Sequence, residues 1–172
     1  MSKISNIIES INNDICFQTK SNQRFRLRAA AIIIEDNSIL FATNDSENYY
    51  YSIGGAIELG ETAEEAIKRE VLEETGVAYD IDRLAFVQEN FFKRNDGMLK
   101  GLECHEITFY FLMKSRGSKQ LNSCSKTLNN TIDERMEWLP IDKLDEYEAY
   151  PMFFREKLKN MNPIIEHIVT HQ

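Results

Sequence analysis

The chain has 172 residues, which suits one domain with a sizeable core, and its 42% apolar and 28% charged content is that of an ordinary soluble protein. A formal net charge of -8 argues against binding nucleic-acid polymers, which calls for a basic face, but leaves room for a small anionic substrate held through a metal ion. No apolar run approaches the roughly 20 residues of a membrane span, and the N-terminus lacks a signal peptide's basic-then-apolar layout, so a cytoplasmic protein with no membrane partner is expected.

In chain order, Ile4, Ile7, Ile8, Ile11 and Ile15 recur at helical spacing and predict a short amphipathic helix that Asn12-Asn13-Asp14 breaks. ICFQT and RFRLRAAAIIIE, on either side of the polar TKSNQ, predict a strand-loop-strand hairpin. From Ala29 to Ile34 both alternating faces are apolar, which marks a strand covered on both sides at the centre of a sheet. Glu35-Asp36-Asn37-Ser38 is turn-like, ILFAT continues as a strand, and Asn44 to Asn48 reads as a polar loop. Tyr49-Tyr50-Tyr51 then leads into Ile53-Gly54-Gly55.

A helix over Thr62 to Thr75 puts Glu70, Glu73 and Glu74 on one face, because spacings of three and four bring side chains together. Ala63, Ala66 and Ile67 fall on the same side one or two turns earlier, so the first turns can pack on a sheet while the last holds three carboxylates. Like charges so placed repel, and their carboxyls rise in pKa unless something positive joins them. A hard divalent cation is the economical partner, since Mg2+ takes oxygen ligands and keeps waters and phosphate oxygens in its shell. Thr62 is the expected N-cap, with Glu65 as its capping-box partner, and Gly76 stops the helix. The alternative is a solvated face in which Glu65, Arg69 and Glu73 form a charge ladder. The glycines Gly54-Gly55 ahead of the helix and Gly60-Glu61 at its mouth favour a loop-helix-loop with a chemical purpose.

Leu84 to Phe92 and Ile107 to Met113 are rich in aromatic and branched residues and predict strands. Between them KRNDGMLKGLECHE has the length of a mobile flap or functional loop. Ser115 to Asn130 is a second polar stretch, expected to be exposed. RMEWLP predicts a short strand closed by Pro140, and IDKLDEY a helical turn. Pro151 opens a last helix through about Lys159, and IIEHIVTHQ follows as a tail strand or strap. Cys16, Cys104 and Cys124 are odd in number and lack ligand spacing, so reduced, buried thiols are expected. No repeat or linker interrupts the chain. The expectation is a single domain over 1–172, with 1–24 as a helix and hairpin extension and 163–172 as a tail.

Gly55, Glu61, Arg69, Glu70, Val71, Glu73, Glu74, Gly76 and Val77 reproduce without a mismatch the pattern GX5EX7REUXEEXGU, where U is a large aliphatic residue. The sequence therefore resembles a Nudix hydrolase over about 23 residues, and the order of strands around them is similar to the family's. That resemblance implies an α/β fold, an α/β/α sandwich with a mixed β-sheet and the box as loop-helix-loop. It implies Mg2+-dependent hydrolysis, with Mn2+ as a substitute, of a pyrophosphate bond in a nucleoside diphosphate linked to another moiety, by metal-activated water. Glu70, Glu73 and Glu74 are implied as metal ligands, with one of them or a more distant carboxylate as base. Glu61 is implied at the metal indirectly or through water, and Arg69 as the group that orients a glutamate. Gly54 and Gly55 are implied as substrate-binding, Gly55 through its carbonyl or by close approach of a phosphate. Many members carry Pro where this chain has Ile53, a departure that touches loop stiffness rather than a ligand.

A further carboxylate often arrives from ahead of the late Trp-containing strand. Among Asp133, Glu134 and Glu137, which precede Trp138, Glu134 is the choice for a catalytic role, and His105-Glu106 is the other candidate pair. Tyr49 to Tyr51 and Phe91-Phe92 either stack a base or sugar or belong to the core. The implied partner is a small nucleotide or other pyrophosphate, with a homodimer through exchange of the N-terminal hairpin left open. A nucleoside triphosphate, a dinucleoside polyphosphate, a nucleotide sugar and a non-nucleotide pyrophosphate all fit. The rival reading is a non-catalytic nucleotide-binding or regulatory module on the same fold, which has no chemical need for every ligating glutamate. A calcium-binding protein is disfavoured by the lack of a DxDxDG loop.

Overall fold

A computed structural model of the chain describes residues 13–45, 47–93, 100–122, 126–127 and 132–172. The helix expected before Asn13, the centre of the 93–106 connection and Cys124 lie outside them. The first hairpin forms as predicted: β1 (Cys16–Gln18) pairs antiparallel with β2 (Gln23–Ile32), Phe17 opposite Phe25. β3 (Ile34–Glu35) turns into β4 (Ser38–Asn44) through Asp36 and Asn37, whose φ values of 45° and 54° are the left-handed pair of a tight hairpin. β5 (Glu47–Ser52) and β6 (Gly54–Ala56) lead to α1 (Ala63–Thr75), followed by the long strands β7 (Ile81–Lys93) and β8 (Glu103–Met113). The remainder is β9 (Lys126–Thr127), β10 (Ile132–Pro140), a 3-10 turn Ile141–Glu146, β11 (Ala149–Tyr150), α2 (Phe154–Lys157) running into a 3-10 turn Leu158–Asn160, and β12 (Glu166–His171).

The strands divide between two mixed sheets rather than one. The first runs β1-β2-β8-β7-β12 with β6 added to β2, and the second runs β11-β5-β4-β10-β9 with β3 added to β4. The reading of β2 as a central, doubly covered strand holds, and its alternation shows why. Ala29, Ala31 and Ile33 face Ala66, Ile67 and Val71 of α1, while Ala30 and Ile32 face Phe41, Phe86, Leu144 and Phe154 on the other side. Each fully buried aliphatic or aromatic side chain there stabilises the fold by about 1.5–3 kcal/mol relative to exposure. Ala29 and Ala31, the two alanines of β2 on that face, leave room for the close approach of α1. A helix on one face and the 3-10 turns with α2 on the other make the α/β sandwich.

α1 is bounded as its sequence predicts. Thr62 Oγ1 accepts from the Glu65 N–H at 3.2 Å, the Thr62 N–H donates to Glu65 Oε2 at 2.9 Å, and Gly76, at φ 67°, returns its N–H to the Leu72 carbonyl. Elsewhere the boundaries move. The segment expected as a loop from Asn44 is mostly strand, because β4 and β5 pair to Asn44 and Glu47. The flap expected over 93–106 is strand at both ends, since β7 and β8 stay paired as far as Lys93 and Glu103. The final helix begins at Phe154, three residues after Pro151, and its one α-helical turn gives way to a 3-10 turn that carries it through Lys159 to Asn160. The polar stretch after Met113 is anchored rather than merely exposed. Buried Glu35 accepts from Ser115 Oγ at 2.7 Å and from the N–H groups of Arg116 and Gly117 at 2.6 and 3.0 Å. Further along, Trp138 on β10 donates its indole N–H to the Lys119 carbonyl at 3.1 Å, with the Lys119 ammonium 5.8 Å from the ring centre. The tail is a strand, β12, parallel to β7 from Glu166 to His171. Cys104 is buried, Cys16 half-buried, and both are free thiols. Among the described residues no helix is long and apolar enough to cross a membrane.

Candidate active site

The site begins at a corner that only glycine can make. Gly54 has φ 131°, and a Cβ there would sit 2.2 Å from the Ala29 carbonyl oxygen, so its absence lets β6 pair with β2. At Gly55 a Cβ would lie 2.3 Å from Glu70 Oε1, so the missing side chain is the space that the Glu70 carboxylate occupies. The expected role of Gly55 as a close-approach position thus has a resident in the protein itself. Gly54 contributes its N–H to Glu74 Oε1 at 3.3 Å. Ile53, in place of the frequent proline, is fully buried and its carbonyl accepts from the Ala31 N–H at 2.9 Å. Core packing holds the corner where a rigid ring does so elsewhere.

Arg69 is the hub on the helix side. It grips both oxygens of Glu61 at 2.9 Å, donates to Glu70 Oε1 at 2.6 Å and to the Ala56 carbonyl at 3.3 Å, and stands 3.5 Å from Glu73. Glu61 also accepts from the Glu58 N–H at 3.1 Å. Its hydrogen bonds to Arg69 hold the Glu61 carboxyl below the usual range, and Glu61 in turn holds the guanidinium firmly charged. Both oxygens of Glu61 are engaged, which places it one step removed, behind Arg69. Arg69 is placed to orient Glu70, as read from its position.

Glu70 and Glu74 face inward at the end of α1, and Glu134 arrives from the other sheet. Glu134 is only 5% exposed and accepts from the Tyr51 hydroxyl at 2.5 Å, while that hydroxyl accepts from the Asn44 amide at 3.2 Å. Tyr51 and Glu134 meet across β4, the strand that pairs with both β5 and β10. Burial raises the Glu70 carboxyl against the pull of Arg69. Burial, then the charges of Glu134 and Glu70, pushes the Glu74 carboxyl up to about 8, with Arg28 and the Gly54 N–H opposing. Glu73 does not join this group: its side chain is 60% exposed at the solvent edge of Arg69.

The other candidates are sorted by strand alternation. Glu106 lies on one face of β8, 3.6 Å from Arg26 and accepting from Thr108 Oγ1 at 3.3 Å. His105 lies on the opposite face, stacked on Phe91 with ring centres 4.2 Å apart and edge-on to Phe25, with Glu89 3.8 Å away. The two are therefore not a pair. Glu137 accepts from the Tyr50 hydroxyl at 3.0 Å, and Tyr49 packs against the rings of Tyr51 and Tyr150. The side chain of Asp133 lies outside the described residues.

At the site Arg28 has no counterpart in the expectations from sequence, and Tyr51 is expected only to stack a base or sugar or to lie in the core. Arg28, buried in β2, donates to Ser52 Oγ at 3.0 Å, to the Ser52 carbonyl at 2.5 Å and to the Gly54 carbonyl at 3.1 Å, so it staples the glycine corner from behind. Arg24, Arg26 and Arg28 at alternate positions, the last directly before the apolar run from Ala29, were the available hint. The contact of Tyr51 with Glu134 had no such signal, since it depends on register between strands far apart in sequence.

The arrangement sets three carboxylates and a fixed guanidinium around a backbone corner. Among the described residues, no three His, Cys, Asp or Glu side chains are gathered as they stand into a set that could hold a metal ion. Mg2+ needs only one or two carboxylates, because it keeps water and substrate oxygens in the rest of its shell. The donors present fit such an ion. They are hard oxygens, and the raised carboxyls of Glu70 and Glu74 mark a locus where negative charge lacks sufficient compensation.

Comparison with known proteins points the same way. Residues 24–159 match the model of the NUDIX domain family. A MutT-like protein of Streptomyces ambofaciens is 26% identical over 145 residues, covering 83% of this chain and 80% of that protein. Among solved structures, the MutT protein of Bacillus halodurans is 18% identical with a TM-score of 0.59, over 83% of this chain and 89% of that one. A UDP-X diphosphatase is 19% identical with a TM-score of 0.55, over 83% and 66%. These structural likenesses speak for the fold, and the family match spans most of the chain: the protein belongs to the NUDIX domain family and is a pyrophosphohydrolase of that family.

Proposed function

We propose that the protein hydrolyses a pyrophosphate bond in a small nucleoside diphosphate derivative, using Mg2+ or in its place Mn2+, with 24–159 as the catalytic domain between an N-terminal extension and the β12 tail. The observation that carries this reading is the convergence of Glu70, Glu74 and Glu134 beside the Gly54-Gly55 corner. In it Glu70 and Glu74 hold the metal, with Glu73 at the solvent edge as a ligand on the side from which substrate enters. Bound there, the ion supplies charge neutralisation on the phosphates and an activated water. Glu134, oriented by the Tyr51 hydroxyl, takes the proton of the attacking water. Arg69 and Glu61 keep Glu70 in place, and Arg28 keeps the corner from shifting as charge develops.

Purified protein in millimolar Mg2+ is expected to cleave at least one member of a panel of triphosphates, dinucleoside polyphosphates and nucleotide sugars, and to stop in chelator. A panel left intact by the wild type would overturn the reading in favour of a nucleotide-binding module. So would equal turnover by wild type and Glu74→Gln.

A further inference from the structure

The strand beneath the site carries Arg24, Arg26 and Arg28 at alternate positions, so their side chains leave one face of β2 in a line. At about 3.3 Å per residue the line is roughly 13 Å long, with Arg28 at the carboxylate end and Arg24 farthest from it. Its charges are poorly matched. Arg28 bonds only neutral oxygens, those of Ser52 and Gly54. Arg26 has Glu106 as its carboxylate partner, at 3.6 Å. Arg24 lies against the Cys104 thiol, and among the described residues it forms no ion pair. In direct ion pairs the three guanidiniums thus share one carboxylate, Glu106; Arg28 also lies within electrostatic reach of Glu70 and Glu74, which leaves Arg24 and Arg26 as the under-compensated end of the row. Burial, with repulsion from Arg28 and Arg24, lowers the Arg26 pKa despite the pull of Glu106. The Arg26 side chain is nonetheless 28% exposed, so a solute can reach it. Thr108, opposite Arg28 on the neighbouring strand, adds a hydroxyl to the same face. The half-buried guanidiniums of Arg24 and Arg26 are suited to phosphate oxygens, which accept paired, charge-assisted hydrogen bonds from arginine.

We propose that this row is an anion subsite: beyond the pyrophosphate presented to Glu70, Glu74 and Glu134, the substrate carries a second phosphate that lies along β2 against Arg26 and Arg24. The inference rests on the pyrophosphohydrolase reading and narrows its substrate to phosphorylated members of the class.

Two measurements test it. In chelator, calorimetric titration of the full-length protein with inorganic tripolyphosphate is expected to show binding. Arg26→Gln/Glu106→Gln, which removes the arginine without stranding its partner, should weaken that binding about tenfold or more, as loss of one charge-assisted contact does. Arg24→Gln should weaken it less, and Lys68→Gln, on the exposed face of α1, not at all. Melting curves of the variants establish that they fold. In Mg2+, hydrolysis is compared within pairs differing by one phosphate: NAD+ and NADP+, dephospho-coenzyme A and coenzyme A, and dinucleoside tri- and tetraphosphates. The richer member of any cleaved pair should have the lower KM. The double variant should erase that difference with little change in kcat, and tripolyphosphate should inhibit the wild type competitively. Tripolyphosphate binding that is equal in wild type and double variant overturns the subsite. Binding without competition overturns its assignment to substrate. Arg26-dependent binding in a protein that cleaves no pyrophosphate upholds the anion site and overturns the hydrolase reading instead.

Discussion

Glu65 and Glu74 belong to the same helix and live in opposite settings. Glu65, at the start of α1, is exposed, and hydrogen bonds from the Thr62 backbone and hydroxyl hold its carboxyl below the usual range. Glu74, in the last turn, is enclosed beside Glu134 and Glu70, and its carboxyl is pushed up to about 8. The first stabilises the helix that holds it by closing the capping box with Thr62. The second is a standing electrostatic cost of the metal-free fold. Identical residues on one helix thus divide between building the scaffold and loading it, and the division follows from which end meets the glycine corner.

Substitutions at the loaded end should have the largest consequences. Glu74→Gln and Glu134→Gln are each expected to lower kcat by roughly 10^2- to 10^4-fold, the range for a positioned acid-base or metal-binding carboxylate. Steady-state kinetics on any cleaved substrate, with circular dichroism to confirm folding, will show it. Losses below tenfold at both would dissolve the contrast with Glu65. Next in size is Arg69→Lys, which keeps charge but loses the fork on Glu61 and the bond to Glu70. A drop of about 10- to 100-fold is expected, as for other residues that orient metal-binding groups.

The two glycines should separate stability from activity. Gly54→Ala meets backbone at 2.2 Å and strains a φ of 131°, so it should destabilise by about 1–3 kcal/mol or more in denaturant titration. Gly55→Ala meets only the movable end of Glu70, so its melting point should change little while its turnover falls. The reverse outcome would mean that Glu70 does not depend on the space at Gly55.

The raised Glu74 carboxyl sharpens the comparison through pH. Unfolded, this group titrates near its ordinary 4.5; folded, near 8. Between those values the folded state binds the extra proton, so its contribution to stability is fully present below about 4.5 and is lost as pH rises toward 8. In chelator the melting temperature should therefore fall from about pH 5 to pH 8, and the fall should be shallower in Glu74→Gln. Magnesium should lift the wild type most at the alkaline end, because it binds the folded site and hardly the unfolded chain. A flat wild-type profile would show that the carboxyl is not perturbed. Smallest of all, Glu64→Gln, on the exposed side of α1, should leave turnover within about twofold of wild type, as surface substitutions away from a site do.

How much was legible follows the range of the interactions. Thr62, Glu65 and Gly76 bound α1 through contacts within four residues, so their spacing suffices to find the helix and its inward carboxylates. β2 shows its double burial in its own alternation. Glu134 is singled out in the sequence only by a pattern of chain order; its contact with Tyr51 is fixed by the pairing of β10 and β5 with β4. The same distance hid Arg28, whose partners Ser52 and Gly54 lie beyond a hairpin. Glu73 differs from its neighbours in depth: a helical wheel assigns a side but not a depth, and in the last turn of α1 Glu70 and Glu74 are inward while Glu73 looks to solvent.

The bond between the Trp138 indole and the Lys119 carbonyl gives the molecule an optical address. Trp138 is the one tryptophan of the chain, on the strand that also bears Glu134, and it is held by a segment beginning at the buried Glu35. Its ring also packs against the core cluster that holds Ala66, Ile67 and Val71 of α1, so its emission reports on the second sheet and on the seating of the helix together. A spectral shift on adding metal or substrate would register strain carried from Glu134 along β10.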